Sequence, residues 1–201
     1  MEGLSEAESE LVVYVHPSQS KNVRPAILRE LSSLLFKYNE SLDGVVLAYK
    51  FETSPSNRAR ILSGVHPYFA VRLRSNLLLF SPKPDMLLEG KVVKVLRQSI
   101  HVIVLGFASA VITEQEIRKE FRFKHKHGES LYVHKHHRHH VIKVGTLIRF
   151  ETKSWDEEVL HIAGSLKSDH TGSITWLDKH SQDVATISNK RMAETTEETP
   201  L

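Results

Sequence analysis

Apolar and polar residues alternate over "ELVVYVHP", with Leu11, Val13 and Val15 on one side of a predicted strand and Val12, Tyr14 and His16 on the other. Pro17 and the polar residues after it end that strand. The period then lengthens to about 3.6, because Ile27, Leu28, Leu31, Leu34, Leu35 and Tyr38 share one face of a helix. Asn22 is placed to cap this helix, and Pro25 suits its first turn. Alternation returns with Val45, Leu47, Tyr49 and Phe51. A polar, basic excursion, "TSPSNRARILSG", follows, and "VHPYFAVRLRSNLLLFSP" reads as one or two further strands bent near Ser75 and Asn76. A helix laid on antiparallel strands is a small α+β module spanning residues 10–84. Its expected core is the helix face with Val13, Leu47, Tyr49, Phe69, Val71 and Leu73. Residues 1–9 are small and acidic, and are expected to fray.

"SPKPDMLLEG" breaks the pattern with two prolines and then a glycine, and marks a boundary. Beyond it, "KVVKVLRQ", "SIHVIVLGF" and "ASAVI" are three short strand-like runs separated by weak turns. "TEQEIRKEFRF" carries a capping-box spacing, Thr113 with Glu116, and predicts a short helix. "VGTLIRFETKSWDEEVLHIAGSL" reads as a hairpin turning at "SWDEE". Five strands with a helix after the third is the order of an OB barrel of the S1 type, expected over residues 85–177. A histidine- and lysine-rich insertion, residues 123–145, interrupts it. Residues 178–201 lose their hydrophobics and predict a disordered acidic tail.

Composition adds little until it is localised. Lys and Arg number 27 against 24 Asp and Glu, a net charge of +3. The surplus gathers in and around "FKHKHGESLYVHKHHRHHVIKVG", which holds seven of the thirteen histidines. With no cysteine in the chain, disulfides, thiol nucleophiles and thiolate zinc sites are excluded. The acidic N-terminus lacks the features of a signal peptide, and the longest apolar runs are too short to span a membrane. An intracellular, reducing compartment is expected, with no membrane partner.

The histidine run invites a metal reading. In an extended chain His134 and His136 share a face; in a helix His136 and His140 do. A zinc centre also needs further ligands and acids to orient them, and Glu129 is the only acid nearby, so no metal and no other cofactor is expected. No phosphate loop, nucleophile elbow or paired-acid motif points to catalysis. Nucleic-acid contact fits better, since such barrels pair a basic groove with stacking rings. The candidate residues are Lys91, Lys94 and Arg97 on the first barrel strand, Phe107 after the second, and Lys124, Lys126, Lys135 and Arg138 in the insertion. A basic loop that does no more than stay solvated accounts for the same residues.

A strand-helix-strands module joined directly to an S1-like barrel through "LLLFSPKPDMLLEGKVVKV" resembles the stalk subunits of multisubunit DNA-dependent RNA polymerases, the family that includes the archaeal E subunit. Within that family, "EGKVVKVLRQSIHVIVLGFASAVI" and "VLHIAGSL" look most like the larger stalk subunit of RNA polymerase I. The resemblance implies a non-catalytic role, with the first module docked on core subunits and a smaller stalk subunit as partner. It also implies contact with a transcription initiation factor and with nascent RNA, and a nuclear, nucleolar location. The aromatic S1 signature departs from the family pattern, since "LGFASAVITEQEI" keeps only Phe107. Arg58 and Arg60 in "ETSPSNRARILSGVHP" are the candidate docking residues, though an ordinary surface loop reads the same way. The alternative is a freestanding S1-domain protein that binds RNA in processing or translation.

Overall fold

The computed structural model describes residues 2–52, 59–63, 68–126 and 128–180. The chain divides into two units, Gly3–Pro82 and the residues from Lys83 onward, with Glu2 belonging to the latter.

The first unit is a sheet carrying one helix. Strand β1 (Leu4–Val15) runs antiparallel to β5 (Phe69–Phe80) along its whole length, from Leu4 opposite Phe80 to Val15 opposite Phe69. The strand therefore starts well inside the stretch expected to fray. Ala7 and Ser9 continue the inward positions of Leu11, Val13 and Val15, while Glu6, Glu8 and Glu10 point outward. Small side chains disguise a period of two that twelve paired positions enforce. On the far side of β5 lies β3 (Gly44–Glu52), flanked by the short β2 (Tyr38–Asn39), and β4 (Arg60–Ile61) also pairs with β5. β5 is one continuous strand through Ser75 and Asn76, with Ser75 fully buried.

Helix α1 (Val23–Ser32) packs Ala26, Ile27 and Leu31 against Val13, Val15, Val71 and Leu73. It is shorter than its apolar periodicity predicts. The Ser32 and Ser33 hydroxyls donate to the Leu28 and Glu30 carbonyls, a local competition that weakens a helix end. Phe36 then turns at φ 57° and donates its N–H to the Val46 carbonyl. Tyr38 accordingly sits in β2, opposite Val45, and Leu28 faces outward at 39% exposure. Asn22 occupies the cap position without a side-chain cap bond. Of the expected sheet core, Val13, Val71 and Leu73 are buried, whereas Leu47, Tyr49 and Phe69 are half-buried.

The second unit is a closed five-stranded barrel. β6 (Leu87–Val95), β7 (Ser99–Val104) and β8 (Ala108–Ile117) form an antiparallel meander. After them come β9 (Phe121–Lys126), β10 (Glu129–His134) and β11 (Val141–Lys143), a separate three-stranded sheet. β12 (Leu147–Asp156) returns beside β6, and β13 (His161–Leu166) pairs with β12 and, in parallel, with β8, which closes the ring. β14 (Gly172–Ser173) adds to β12, and residues 174–180 are helical, where a disordered tail was expected from residue 178. This is an OB-like barrel, and Leu88, Val92, Ile100, Ile112, Ile148, Phe150, Ile162 and Leu166 fill it with no exposure at all. Gly90 is required by that packing, because a Cβ there would lie 2.5 Å from Val102 Cγ1. Among the described residues no helix is long and apolar enough to cross a membrane.

The helix expected over "TEQEIRKEFRF" is absent. Thr113 to Ile117 extend β8, a turn follows, and Phe121 opens β9. Ile117 is buried opposite Leu166, and Glu116 reaches Lys167 at 2.7 Å, which holds its carboxyl below the usual range. A capping box contributes about 1 kcal/mol. Burying Ile117 and Phe121 along two strands outweighs it.

Candidate nucleic-acid interface

Strict alternation in β9 and β10 gives their sheet two unlike faces. Phe121, Phe123, Tyr132 and His134 lie on one side, joined by Ile142 of β11. Phe121 and Tyr132 are buried, and Phe123 meets Tyr132 edge-on with centroids 5.5 Å apart. The Tyr132 hydroxyl donates to the Arg97 carbonyl at 2.7 Å, which ties the sheet to the end of β6. Burial, with the Glu114 charge second, raises the Tyr132 pKa, so the phenol stays protonated. The opposite face carries Arg122, Lys124 and Lys126 from β9, Leu131 and Val133 from β10, and Val141 and Lys143 from β11.

Much of the histidine-rich stretch is therefore sheet, where a loop was expected, while residues 135–140 form the return between β10 and β11 and are exposed from 135 to 139. Tyr132 and Ile142 supply the reason: each is buried and opposes the other across the β10–β11 pair.

Two depressions flank this sheet. One, of about 680 Å³, is lined by Arg97, Lys119, Arg122 and His125 together with Phe121, Phe123 and Tyr132. The other, of about 840 Å³, lies over the outer face and collects Lys124, Lys126, Lys135 and Arg138 with Arg122 and Lys143. Four of the eight residues proposed from sequence thus share one groove, and Arg97 joins the neighbouring one. Lys91, Lys94 and Phe107 line neither. Lys91 stands between Ile103 and Leu147 on the barrel wall, and Lys94 pairs with His101. Arg60 is exposed on β4, and Arg58 lies outside the described residues. Arg122 and Lys143 were readable from the strand alternation. The contribution of Arg97 depends on Tyr132 drawing the sheet over the β6 end, which no local pattern signals.

Four of the histidines build a stack. His140 is fully buried, with Trp176 parallel to it at 4.1 Å and 7°, and His180 also stacks on Trp176 at 4.7 Å. His134 stacks on His140 at 5.6 Å, and His137 leans on Trp176 at 5.0 Å. The Ser173 N–H donates to His140 Nε2 at 3.0 Å, so the neutral ring carries its proton on Nδ1. Burial, reinforced by His134 and Arg118, pushes the His140 pKa down to about 3. Burial also lowers His134, whose Nδ1 accepts the N–H groups of His136 and His137 at 3.3 Å. Gly172, at φ 132°, leaves the room this ring needs, since a Cβ there would collide with His140 Nε2. Among the described residues no three His, Asp or Glu side chains are arranged to hold a metal ion. Here the rings pack on one another.

No protein-family model matches the sequence. A probable DNA-directed RNA polymerase I subunit RPA43 from Dictyostelium discoideum is 28% identical over 146 residues, which is 73% of this chain and 40% of that protein. The DNA-directed RNA polymerase I subunit rpa43 of Schizosaccharomyces pombe is 28% identical over 114 residues, covering 57% of this chain and 65% of its own length. The chain is similar to the RNA polymerase I subunit RPA43 of both organisms. At 146 residues the first match is longer than either unit, so it runs across the boundary between them. The matched region spans less than two thirds of either RPA43 protein. Among solved structures, a protein described as an exosome complex RNA-binding protein superposes with a TM-score of 0.31 at 13% identity, over 47% of this chain and 49% of its own. A likeness that distant says nothing about function.

Proposed function

We propose that this chain is a non-catalytic stalk subunit of a DNA-directed RNA polymerase of the polymerase I type, working in the nucleus and its nucleolus. The observation that carries this reading is the match to RPA43 across both units in their order. The roles proposed with it are assembly on polymerase core subunits beside a smaller stalk subunit, and recruitment of an initiation factor for ribosomal RNA transcription. Tagged chain recovered from its native cells should bring down polymerase I subunits in near-stoichiometric amounts by mass spectrometry. Recovery of RNA-processing or translation factors without polymerase subunits would establish the freestanding alternative.

RNA contact belongs to the proposal at a specific place. The depression sets the cations Arg97, Arg118, Lys119 and Arg122, with one carboxylate, Glu114, around Phe123, the half-buried ring among its three aromatics. Cations flanking a ring are the equipment of sequence-tolerant single-strand binding. Oligouridylate affinity for the full chain should fall with rising salt, with a logarithmic slope of about −3 if about four phosphates are engaged. Phe123→Ala should weaken it by about tenfold, for one lost base stack. A salt-independent signal, or one indifferent to Phe123, would remove RNA contact from this site.

A further inference from the structure

The groove on the outer face of β9, β10 and β11 has a different chemistry. Arg122, Lys124, Lys126, Lys135, Arg138 and Lys143 surround a single carboxylate, Glu129, which stands 3.8 Å from Lys143. Among the described residues the other five cations have no ion-pair partner. Crowded like charge is unfavourable, and a bound polyanion relieves it. The floor between these cations is aliphatic, with Leu131 and Val133 on β10 and Val141 opposite Val133 on β11, all half-buried. The rings of Phe121, Phe123 and Tyr132 lie on the other face, and His134, which borders the groove, is stacked on His140.

That combination discriminates between polyanions. A single-stranded nucleic acid needs rings on which its bases stack, and the ring at the edge of this groove, His134, is already packed against His140 and Phe121. Leu131 and Val133, two positions apart on a strand, repeat at about 6.8 Å, which is also the side-chain repeat of an extended peptide. A peptide whose aliphatic side chains alternate with carboxylates would set the first on the floor and the second against the rim. We infer that this groove docks an extended acidic segment of a partner protein, one bearing aliphatic side chains between its carboxylates. The inference stands independently of polymerase membership and of RNA contact in the neighbouring depression.

The test uses three fluorescent probes on the full chain: a short peptide alternating glutamate with valine, its glutamate–serine counterpart, and a short oligouridylate. The glutamate–valine peptide should bind at least about tenfold more tightly than the serine version, the increment expected from burying two or more aliphatic side chains. Val133→Thr keeps the side-chain shape, and should weaken the valine peptide severalfold while leaving the serine peptide and oligouridylate unchanged. Lys126→Glu, at an exposed position, should weaken both peptides. Equal affinity for the two peptides would overturn the inference in favour of a bare electrostatic patch. Oligouridylate binding more tightly than either peptide, and lost in both variants, would overturn it in favour of a nucleic-acid site.

Discussion

His140 makes the barrel unit acid-sensitive by an amount that follows from its surroundings. Fully buried and stacked on Trp176, it takes up no proton in the folded protein until about pH 3. In the unfolded chain it titrates near 6.5. The folded pKa is depressed, so between those values the unfolded state binds the extra proton. The stability held by neutral His140 is therefore complete above about pH 6.5 and drains away as the pH falls toward 3. At about pH 5 the loss amounts to about 2 kcal/mol, from roughly 1.5 pH units at about 1.4 kcal/mol each. His134, lowered by burial, adds to the loss in the same direction. Both tryptophans, Trp155 and Trp176, lie in the barrel unit, so denaturant unfolding followed by tryptophan fluorescence reports on that unit alone. His140→Gln keeps an acceptor for the Ser173 N–H but cannot be protonated. It should be less stable than the wild type at about pH 7.5, and the gap should narrow by about 2 kcal/mol at about pH 5. An unchanged gap across that range would refute the placement of a buried neutral histidine.

Two further substitutions probe the same region. Gly172→Ala forces a Cβ onto His140 Nε2 at a φ of 132°, and should cost about 2 kcal/mol or more in the same unfolding assay. Tyr132→Phe removes the hydroxyl that donates to the Arg97 carbonyl, which should cost about 1 kcal/mol. Because that bond ties the sheet to Arg97, the variant should also weaken oligouridylate binding, while the wild-type salt dependence is retained.

The architecture was legible wherever periodicity was long and backed by burial. Leu11 to Val15, the Ile27–Leu31 face, the three barrel strands from Lys91 and the hairpin through Trp155 all form as their spacing predicts. Reading failed where a local signal competed with a distant partner. The Thr113–Glu116 capping box lost to strand pairing with Leu166 and to Lys167. The acidic start looked unstructured because Ala7 and Ser9 are small, yet β5 supplied a partner for every residue from Leu4. Of the eight residues proposed from sequence, four fall in the outer groove and one, Arg97, in the depression beside Phe123. Lys124, Lys126, Lys135 and Arg138 lie together because alternation and a tight return bring them together, whereas Lys91 and Lys94 belong to the barrel wall and Phe107 to the turn between β7 and β8.

By itself, the sequence determined the chemistry available to this protein: no thiolate, a modest positive charge, and a basic, histidine-rich stretch following a barrel meander. Composition and spacing are local properties, and they survive any fold. Only the tertiary structure decided how that stretch is spent. Burial of Tyr132 and Ile142 made its strands a two-faced sheet, sending Phe121, Phe123 and Tyr132 to one side and Arg122, Lys124, Lys126 and Lys143 to the other. Trp176, thirty-six residues beyond His140, completed the stack that keeps that histidine neutral. The physical reason is that desolvation and stacking depend on which groups meet in space, and no spacing within the chain encodes a partner that far away.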